Sequence, residues 1–316
     1  MDENELMGSM KVSKAVAKMA IPSVISSLVT VVYNMADTFF VGQTGDPLQV
    51  AAVSQTNPIF ILFMAFANMF GMGGSAAASM ALGEKKEKRV KQVSSFITYA
   101  SLIVGIVFAV ILLVGMQPVL QLFGADADTY ELAKGYTTYI SYGAPFIIWS
   151  AAASFVVRSD GASREAMTGS MIGTVANIIL DPIFISGFGM GAAGAAIATT
   201  IGNIMASVYY LWYFCRKSRN MSMAFRYFKC GDRILSQVCS AGLPTAIFSA
   251  LMSISTIILN QILVAYGNAP VAAIGIVFKA NMFITFLQMG LANGVQPLLG
   301  YSYGAGNRER FITVER

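Results

Sequence analysis

The residues most able to bind a cation stand in one apolar stretch, Asn177 to Pro182, which reads Asn-Ile-Ile-Leu-Asp-Pro. It lies in an apolar run from about residue 166 to residue 188, and about 20 such residues suffice to cross a bilayer. A carboxylate at the centre of a membrane helix costs about 2.5–3.5 kcal/mol, which indicates a function for Asp181. Asn177 precedes Asp181 by four positions and shares its helix face. Pro182 donates no backbone N–H, which predicts a free carbonyl one turn back.

Two further polar residues occur in other apolar runs at a matching depth. Asp37 lies near the end of the first run, and Thr199 lies in the sixth. At about 1.5 Å per residue, both fall roughly 6–12 Å below the outer surface, as does Asp181. This common depth predicts one cation or proton site made of Asp37, Asn177, Asp181 and Thr199. The structural alternative is that Asp37 caps its helix while Asp181 pairs only with Asn177.

The chemistry of such a site suits an exchanger. Two nearby carboxylates in a low dielectric resist carrying both charges at once, so a proton, a sodium ion and an organic cation would compete for them. We predict no cofactor and a coupling ion that is H⁺ or Na⁺. We predict no metal site beyond possible sodium at Asp37, Asn177 and Asp181. The chain has no histidine, which excludes Ser-His-Asp and Cys-His catalysis, and it shows no phosphate loop, so we do not expect an enzyme.

Composition places these residues in a polytopic membrane protein. The chain is 56% hydrophobic and 12% charged, whereas soluble domains have about 25% charged residues. An all-α integral membrane protein is therefore predicted. Eight apolar runs are each long enough to span a bilayer, and they lie near residues 15–41, 50–82, 92–116, 132–157, 165–187, 190–214, 235–265 and 270–302.

The distribution of basic residues orients these runs. Of the 21 lysines and arginines, all but Lys134 and Lys279 fall at the N-terminus, in alternate connections, which include Arg158 and Arg164, or in the tail. The positive-inside rule then places the N-terminus in the cytoplasm, in the plasma membrane of a prokaryote. The net charge of +5 is thus explained by contact with the lipid bilayer, and no nucleic-acid partner is expected. Lys279 lies deep in the eighth run and could line a water-filled cavity.

The chain also contains a repeat of about 221 residues. Pro22 is matched by Pro244, Gly73 by Gly294 and Gly83 by Gly304, at offsets of 222, 221 and 221. Six spans fit into one repeat, so the second copy has the same orientation as the first. We therefore predict an N-terminal six-helix lobe over residues 1–218, a cytoplasmic linker over 219–234 and a partial C-terminal lobe over 235–316, with the last four helices absent.

Several motifs occur in order along the chain. They are Ala36-Asp37-Thr38 with Val41-Gly42, Arg158-x-x-Gly161, Asn177-x-x-x-Asp181-Pro182 and Gln296-Pro297-Leu-Leu-Gly300-Tyr-Ser-Tyr-Gly304-Ala-Gly306. Together they resemble the multidrug and toxic compound extrusion (MATE) family of efflux transporters, truncated here after the eighth helix. The resemblance implies a two-lobe transporter fold with a central cleft. It also implies a cation site in the first lobe at Asp37, Asn177, Asp181 and Thr199, and a helix 1 that bends at Pro22.

The resemblance implies a proton- or sodium-coupled multidrug antiporter that exports small organic cations by alternating access, expected here to act as a monomer. Tyr33, Asn34 and Lys279 are candidates for its substrate cavity. One alternative is a lipid-linked sugar flippase of the same superfamily, whose polyanionic cargo would require several cavity lysines or arginines; only Lys279 is a candidate. The other is an inactive truncated membrane protein. The acids Asp37 and Asp181 favour cationic cargo.

Overall fold

The computed structural model describes residues 3–43, 45–228, 231, 233–264 and 268–315. Some side chains inside helices, including those of Thr38 and Lys279, lie outside the described part. The helices in chain order are α1 (Glu3–Gly8), α2 (Val12–Gly42), α3 (Pro47–Gly83), α4 (Glu87–Val114), α5 (Met116–Leu122), α6 (Tyr130–Ser159), α7 (Ser163–Pro182), α8 (Gly191–Trp212), α9 (Ile234–Val264), α10 (Asn268–Gly304) and α11 (Arg308–Glu315). Short π-helical turns extend α7 over Ile183–Gly187 and α8 over Tyr213–Lys217.

The eight apolar runs are confirmed as eight long helices, α2–α4 and α6–α10, with ends within a few residues of those predicted. In the described part of the chain, six of them are long and apolar enough to cross a membrane: α2, α3, α4, α6 and the extended α7 and α8. The other two, α9 and α10, include side chains outside the described part. The chain is therefore an all-helical, multi-pass membrane protein.

Glycines at matching positions of the sequence repeat make matching contacts between helices. A Cβ built on Gly73 of α3 would overlap the backbone of Val238 on α9, and a Cβ on Gly294 of α10 would overlap that of Ala20 on α2. Since α9 is the repeat counterpart of α2, and α10 of α3, these two close approaches are equivalent. Such equivalence is typical of parallel repeats in transporters. The boundaries at residues 218 and 234 stay a prediction.

These close approaches give a stability prediction. Gly73→Ala should lower the free energy of unfolding by about 1–3 kcal/mol, because the new methyl group meets main-chain atoms that cannot rotate away. Gly294→Ala should have a similar effect. The measurement is the thermal midpoint of the detergent-solubilised chain. Gly42→Ala is the control, since no atom of the described residues lies within 4 Å of its added Cβ. Equal midpoints for all three variants would contradict the inferred packing.

The beginning of the predicted linker is hydrogen-bonded to α4 and to the turn after α6. Asp160, in the turn after α6, is 1% exposed and accepts hydrogen bonds from Tyr213 Oη at 2.8 Å, Ser218 Oγ at 2.6 Å and Asn220 Nδ2 at 3.0 Å. Burial raises the pKa of Asp160, and the three hydrogen bonds oppose that shift. Ser94 of α4 continues the anchoring, with its hydroxyl 3.0 Å from the Ser222 carbonyl oxygen. Residues 218–222 are therefore held against α4 and the turn after α6.

Candidate cation site and cavity

The predicted cation site forms where α7 crosses α8. A Cβ built on Gly173 of α7 would approach the carbonyl oxygen of Gly202 on α8, and the reverse is also true. Only glycine lets the two backbones approach so closely, because any side chain would hold them apart. The two helices are antiparallel. Asn177 of α7 therefore faces Thr199 of α8, one helical turn away from the crossing. The crossing thus aligns Asn177, which is predicted from its spacing to Asp181, with Thr199, which is predicted from its depth.

Asn177 joins Asp181 to Thr199 through its side-chain amide. In the amide orientation that satisfies both neighbours, Nδ2 donates to Asp181 Oδ2 at 2.9 Å, and Oδ1 accepts from the Thr199 backbone N–H at 2.9 Å and hydroxyl at 3.2 Å. All three residues are buried, and Asp181 is 0% exposed. Its second oxygen, Oδ1, has no hydrogen-bond partner within the described residues. An unsatisfied carboxylate oxygen in such a place is costly unless it receives a proton or a cation.

Further hydrogen bonds hold Thr199 in place. Asn203 donates from Nδ2 to the Thr199 carbonyl oxygen at 2.8 Å, and its Oδ1 accepts from Ser150 Oγ of α6 at 2.9 Å. The Tyr33 hydroxyl of α2 lies 3.4 Å from Thr199 Oγ1. Side chains from α2, α6, α7 and α8 therefore converge in one polar network. A network with fixed partners can hold ligand atoms in a preferred geometry.

Asp37 occupies a neighbouring position. The structure brings Asn177, Asp181 and Thr199 into direct contact, but among the described hydrogen bonds none joins the half-buried Asp37 to them. Asp37 instead lines an adjoining cavity of about 260 Å³, which Thr199 also lines. The four predicted residues thus form a three-residue cluster with a second carboxylate close by.

A larger cavity of about 410 Å³ begins at this cluster. Asn177 and Thr199 line it, as do Tyr33 and Asn34, which also line the smaller cavity. Tyr33 and Asn34 thus face both cavities, and their role in a substrate cavity stays a prediction. The third predicted cavity residue, Lys279, has its side chain outside the described part. Apolar and aromatic side chains complete the lining, among them Phe60, Met64, Phe155, Phe286 and Met289.

Arg158 corrects the sequence interpretation. The sequence predicts that Arg158 lies in a basic connection after the fourth span and that Lys279 is the only candidate for a cavity cation. Arg158 instead belongs to the last turn of α6, is 7% exposed and lines the larger cavity. The sequence did contain an indication, because Ser150, Ser154 and Arg158 follow one another at intervals of four and so share one helix face.

A bundle of membrane-crossing helices around a cavity with apolar walls, and with a buried acid at one side, is the arrangement of a membrane transporter. The sequence profile of the MatE family matches two stretches, residues 22–183 and 244–314. The chain belongs to this family. The two matches begin 222 residues apart, which is the offset of the predicted repeat. Pro22 and Pro244, the first residues of the two stretches, are thus equivalent positions.

Named relatives agree with this assignment. The chain is 35% identical over 292 residues to the multidrug export protein MepA of Staphylococcus saprophyticus, covering 92% of the chain and 65% of the relative. It is 33% identical over 303 residues to MepA of Staphylococcus aureus, covering 96% and 67%. An outward-facing structure of a multidrug resistance MATE family transporter of the MOP superfamily superposes with a TM-score of 0.93, at 27% identity, over 99% of this chain and 70% of the other. The chain thus spans about two thirds of the length of these relatives.

Proposed function

We propose that the chain forms the cation-coupled part of a multidrug antiporter that exports small organic cations by alternating access. The observation that supports this most is Asp181, which is wholly buried, is bonded by Asn177 through one oxygen, and has its other oxygen without a partner among the described residues. The relatives named multidrug export proteins support the class of cargo. The protein would act as a monomer in a prokaryotic plasma membrane, with its N-terminus in the cytoplasm.

The proposed coupling is a competition between the coupling ion and the cargo at the acidic cluster, which is formed by Asn177, Asp181 and Thr199 with Asp37 beside them. H⁺ or Na⁺ would occupy Asp181 with Asn177 and Thr199, while Asp37 supplies a second charge. A cationic cargo in the larger cavity is attracted by the negative charge of the acidic cluster only after the coupling ion has left. Pro22 of α2 would let this helix bend and move Asp37 relative to α7, because proline removes a helix hydrogen bond. Entry of one cation then favours departure of the other.

Cationic cargo is favoured over the polyanionic cargo of a lipid-linked sugar flippase. Among the described residues that line the two cavities, Arg158 is the one basic side chain. A site for pyrophosphate and sugar head groups would need several such donors. The two acids, by contrast, provide the negative field that attracts organic cations.

Ethidium efflux from drug-sensitive bacteria tests the proposal. The cells would express the chain alone or a chimera in which the remaining third of Staphylococcus saprophyticus MepA follows it. We expect the chimera to export ethidium, and an uncoupler or the removal of sodium to stop export, according to the coupling ion. Chimera-dependent export that neither treatment affects would overturn cation coupling. Export by the chain alone would overturn the alternative of an inactive protein.

A further inference from the structure

Arg158 lies at one end of the larger cavity. Its charge is opposite in sign to that of the acidic cluster. It completes the four-residue spacing Ser150, Ser154, Arg158 on α6, and all three side chains line the cavity. Ser150 belongs to the network around Thr199, through Asn203. From Ser150, Arg158 lies about two turns along α6, or roughly 12 Å at 1.5 Å per residue. One continuous cavity therefore contacts the acidic network on one side and a guanidinium on the other.

The charge of Arg158 is buried and has no anionic partner among the described residues. The side chain is 7% exposed, and within that part of the chain Nε has no hydrogen-bond partner and no ion pair includes Arg158. Its guanidinium carbon lies 5.1 Å from the centre of the Phe155 ring, which supports one face of the group. A guanidinium stays charged at every physiological pH, so its charge cannot be removed by deprotonation.

The two acids that follow Arg158 in the sequence, Asp160 and Glu165, are bonded by other residues. Asp160, two positions further along the chain, receives its hydrogen bonds from Tyr213, Ser218 and Asn220. Glu165 of α7 is bonded by Lys217 and by Tyr209. The protein thus keeps a buried cation at the cavity wall while pairing the adjacent acids elsewhere. Burying an unpaired charge is costly, and a ligand anion would offset that cost.

We propose that the Arg158 end of the cavity is an anion subsite, and that the cargo it accepts is a zwitterion whose carboxylate Arg158 binds. The planar fork of a guanidinium matches a carboxylate with two parallel hydrogen bonds. Ser154 and Ser170 also line the cavity, and their hydroxyls, which here bond the Ala151 carbonyl oxygen and Tyr210 Oη, can reorient to donate to the carboxylate. The cationic end of the cargo then faces the acidic network, and its apolar body contacts Phe60, Met64 and Phe155. The proposal rests on the proposed function in that this cavity holds the cargo.

A matched pair of dyes isolates the carboxylate. Rhodamine 110 is a zwitterion, and rhodamine 123 is its methyl ester, which carries the same cation without the anion. We expect the purified chain in lipid nanodiscs to bind rhodamine 110 several-fold more tightly than rhodamine 123, measured by fluorescence anisotropy. Equal affinities, or tighter binding of the ester, would overturn the anion subsite without any variant being made.

Variants then assign the preference to Arg158. Arg158→Gln should weaken rhodamine 110 binding by about tenfold or more, the scale of a hydrogen bond to a charged group, and leave rhodamine 123 within about twofold. Arg158→Lys keeps the charge and should retain part of the preference. Arg164→Gln, on the exposed side of α7, is the matched control and should change neither affinity. Equal weakening of both dyes would show that Arg158 only stabilises the end of α6.

The outcome separates this proposal from the proposed cation site. Asp181→Asn should weaken both dyes, because both carry the cation. If Asp181→Asn changes neither affinity while Arg158→Gln still weakens only rhodamine 110, the cation site fails and the anion subsite stands. If Arg158→Gln does not yield a monodisperse protein, the dye preference of the unmodified chain and of Arg158→Lys decides.

Discussion

Asp181→Asn should reduce ethidium efflux by the MepA chimera by at least about tenfold. The substitution keeps the size of the side chain and an oxygen that can accept from Asn177, so the crossing of α7 and α8 is retained. It removes the negative charge and the partnerless carboxylate oxygen. Interactions with a charged group contribute about 1.5–3 kcal/mol, which corresponds to about ten- to a hundredfold in binding. Initial efflux rates at equal protein levels are the measurement.

Two further variants interpret that result. Asp128→Asn makes the same chemical change at an exposed position between α5 and α6, and efflux should stay unchanged. Asp37→Asn tests the second carboxylate, which faces the adjoining cavity rather than the hydrogen-bonded cluster. If Asp37→Asn retains full efflux while Asp181→Asn abolishes it, Asp37 only caps its helix. Efflux by Asp181→Asn within about twofold of the unmodified chimera would exclude the whole site.

The helices were predictable because membrane insertion depends mainly on composition and length. A run of about 20 apolar residues must satisfy its backbone within itself, so hydropathy alone located all eight long helices. Asn177 and Asp181 followed from the helical period, since residues four apart share a face. Thr199 followed from its depth. These inferences use distances along a helix axis, which follow from the number of residues between two positions and the constant rise per residue.

The rotation of each helix about its axis was not predictable in the same way. Which small residues meet depends on the packing of several helices, so the crossing at Gly173 and Gly202 appeared only in the structure. The same lack of rotational information led us to place Arg158 in a connection. A charge at the end of an apolar run usually snorkels to the interface. Here the polar face that includes Ser150 and Ser154 turns it toward the cavity.

Competition between cations is the second prediction with a large expected effect. Ethidium carries a fixed charge, so any effect of pH on its binding to the purified chain comes from the protein. As pH falls, a proton occupies the acidic cluster more often, and the neutral carboxyl no longer attracts ethidium. Where proton occupancy is nearly complete, one competing proton weakens the affinity by tenfold for each further unit of pH. Fluorescence titrations between about pH 5 and pH 9 measure this dependence.

The variants and a sodium titration assign the competition to Asp181 and choose the coupling ion. In Asp181→Asn the dependence on pH should be largely lost, because Asn177 and Thr199 remain but no longer contact a group that can hold the proton. Asp128→Asn should keep the full dependence, since Asp128 is exposed and lines neither cavity. At fixed alkaline pH, sodium weakens ethidium binding only if Asp181 Oδ1 accepts that ion, and potassium serves as the reference for ionic strength. An affinity that neither pH nor sodium changes would mean that this carboxylate is structural, because a coupling ion must compete with cargo for the same negative charge.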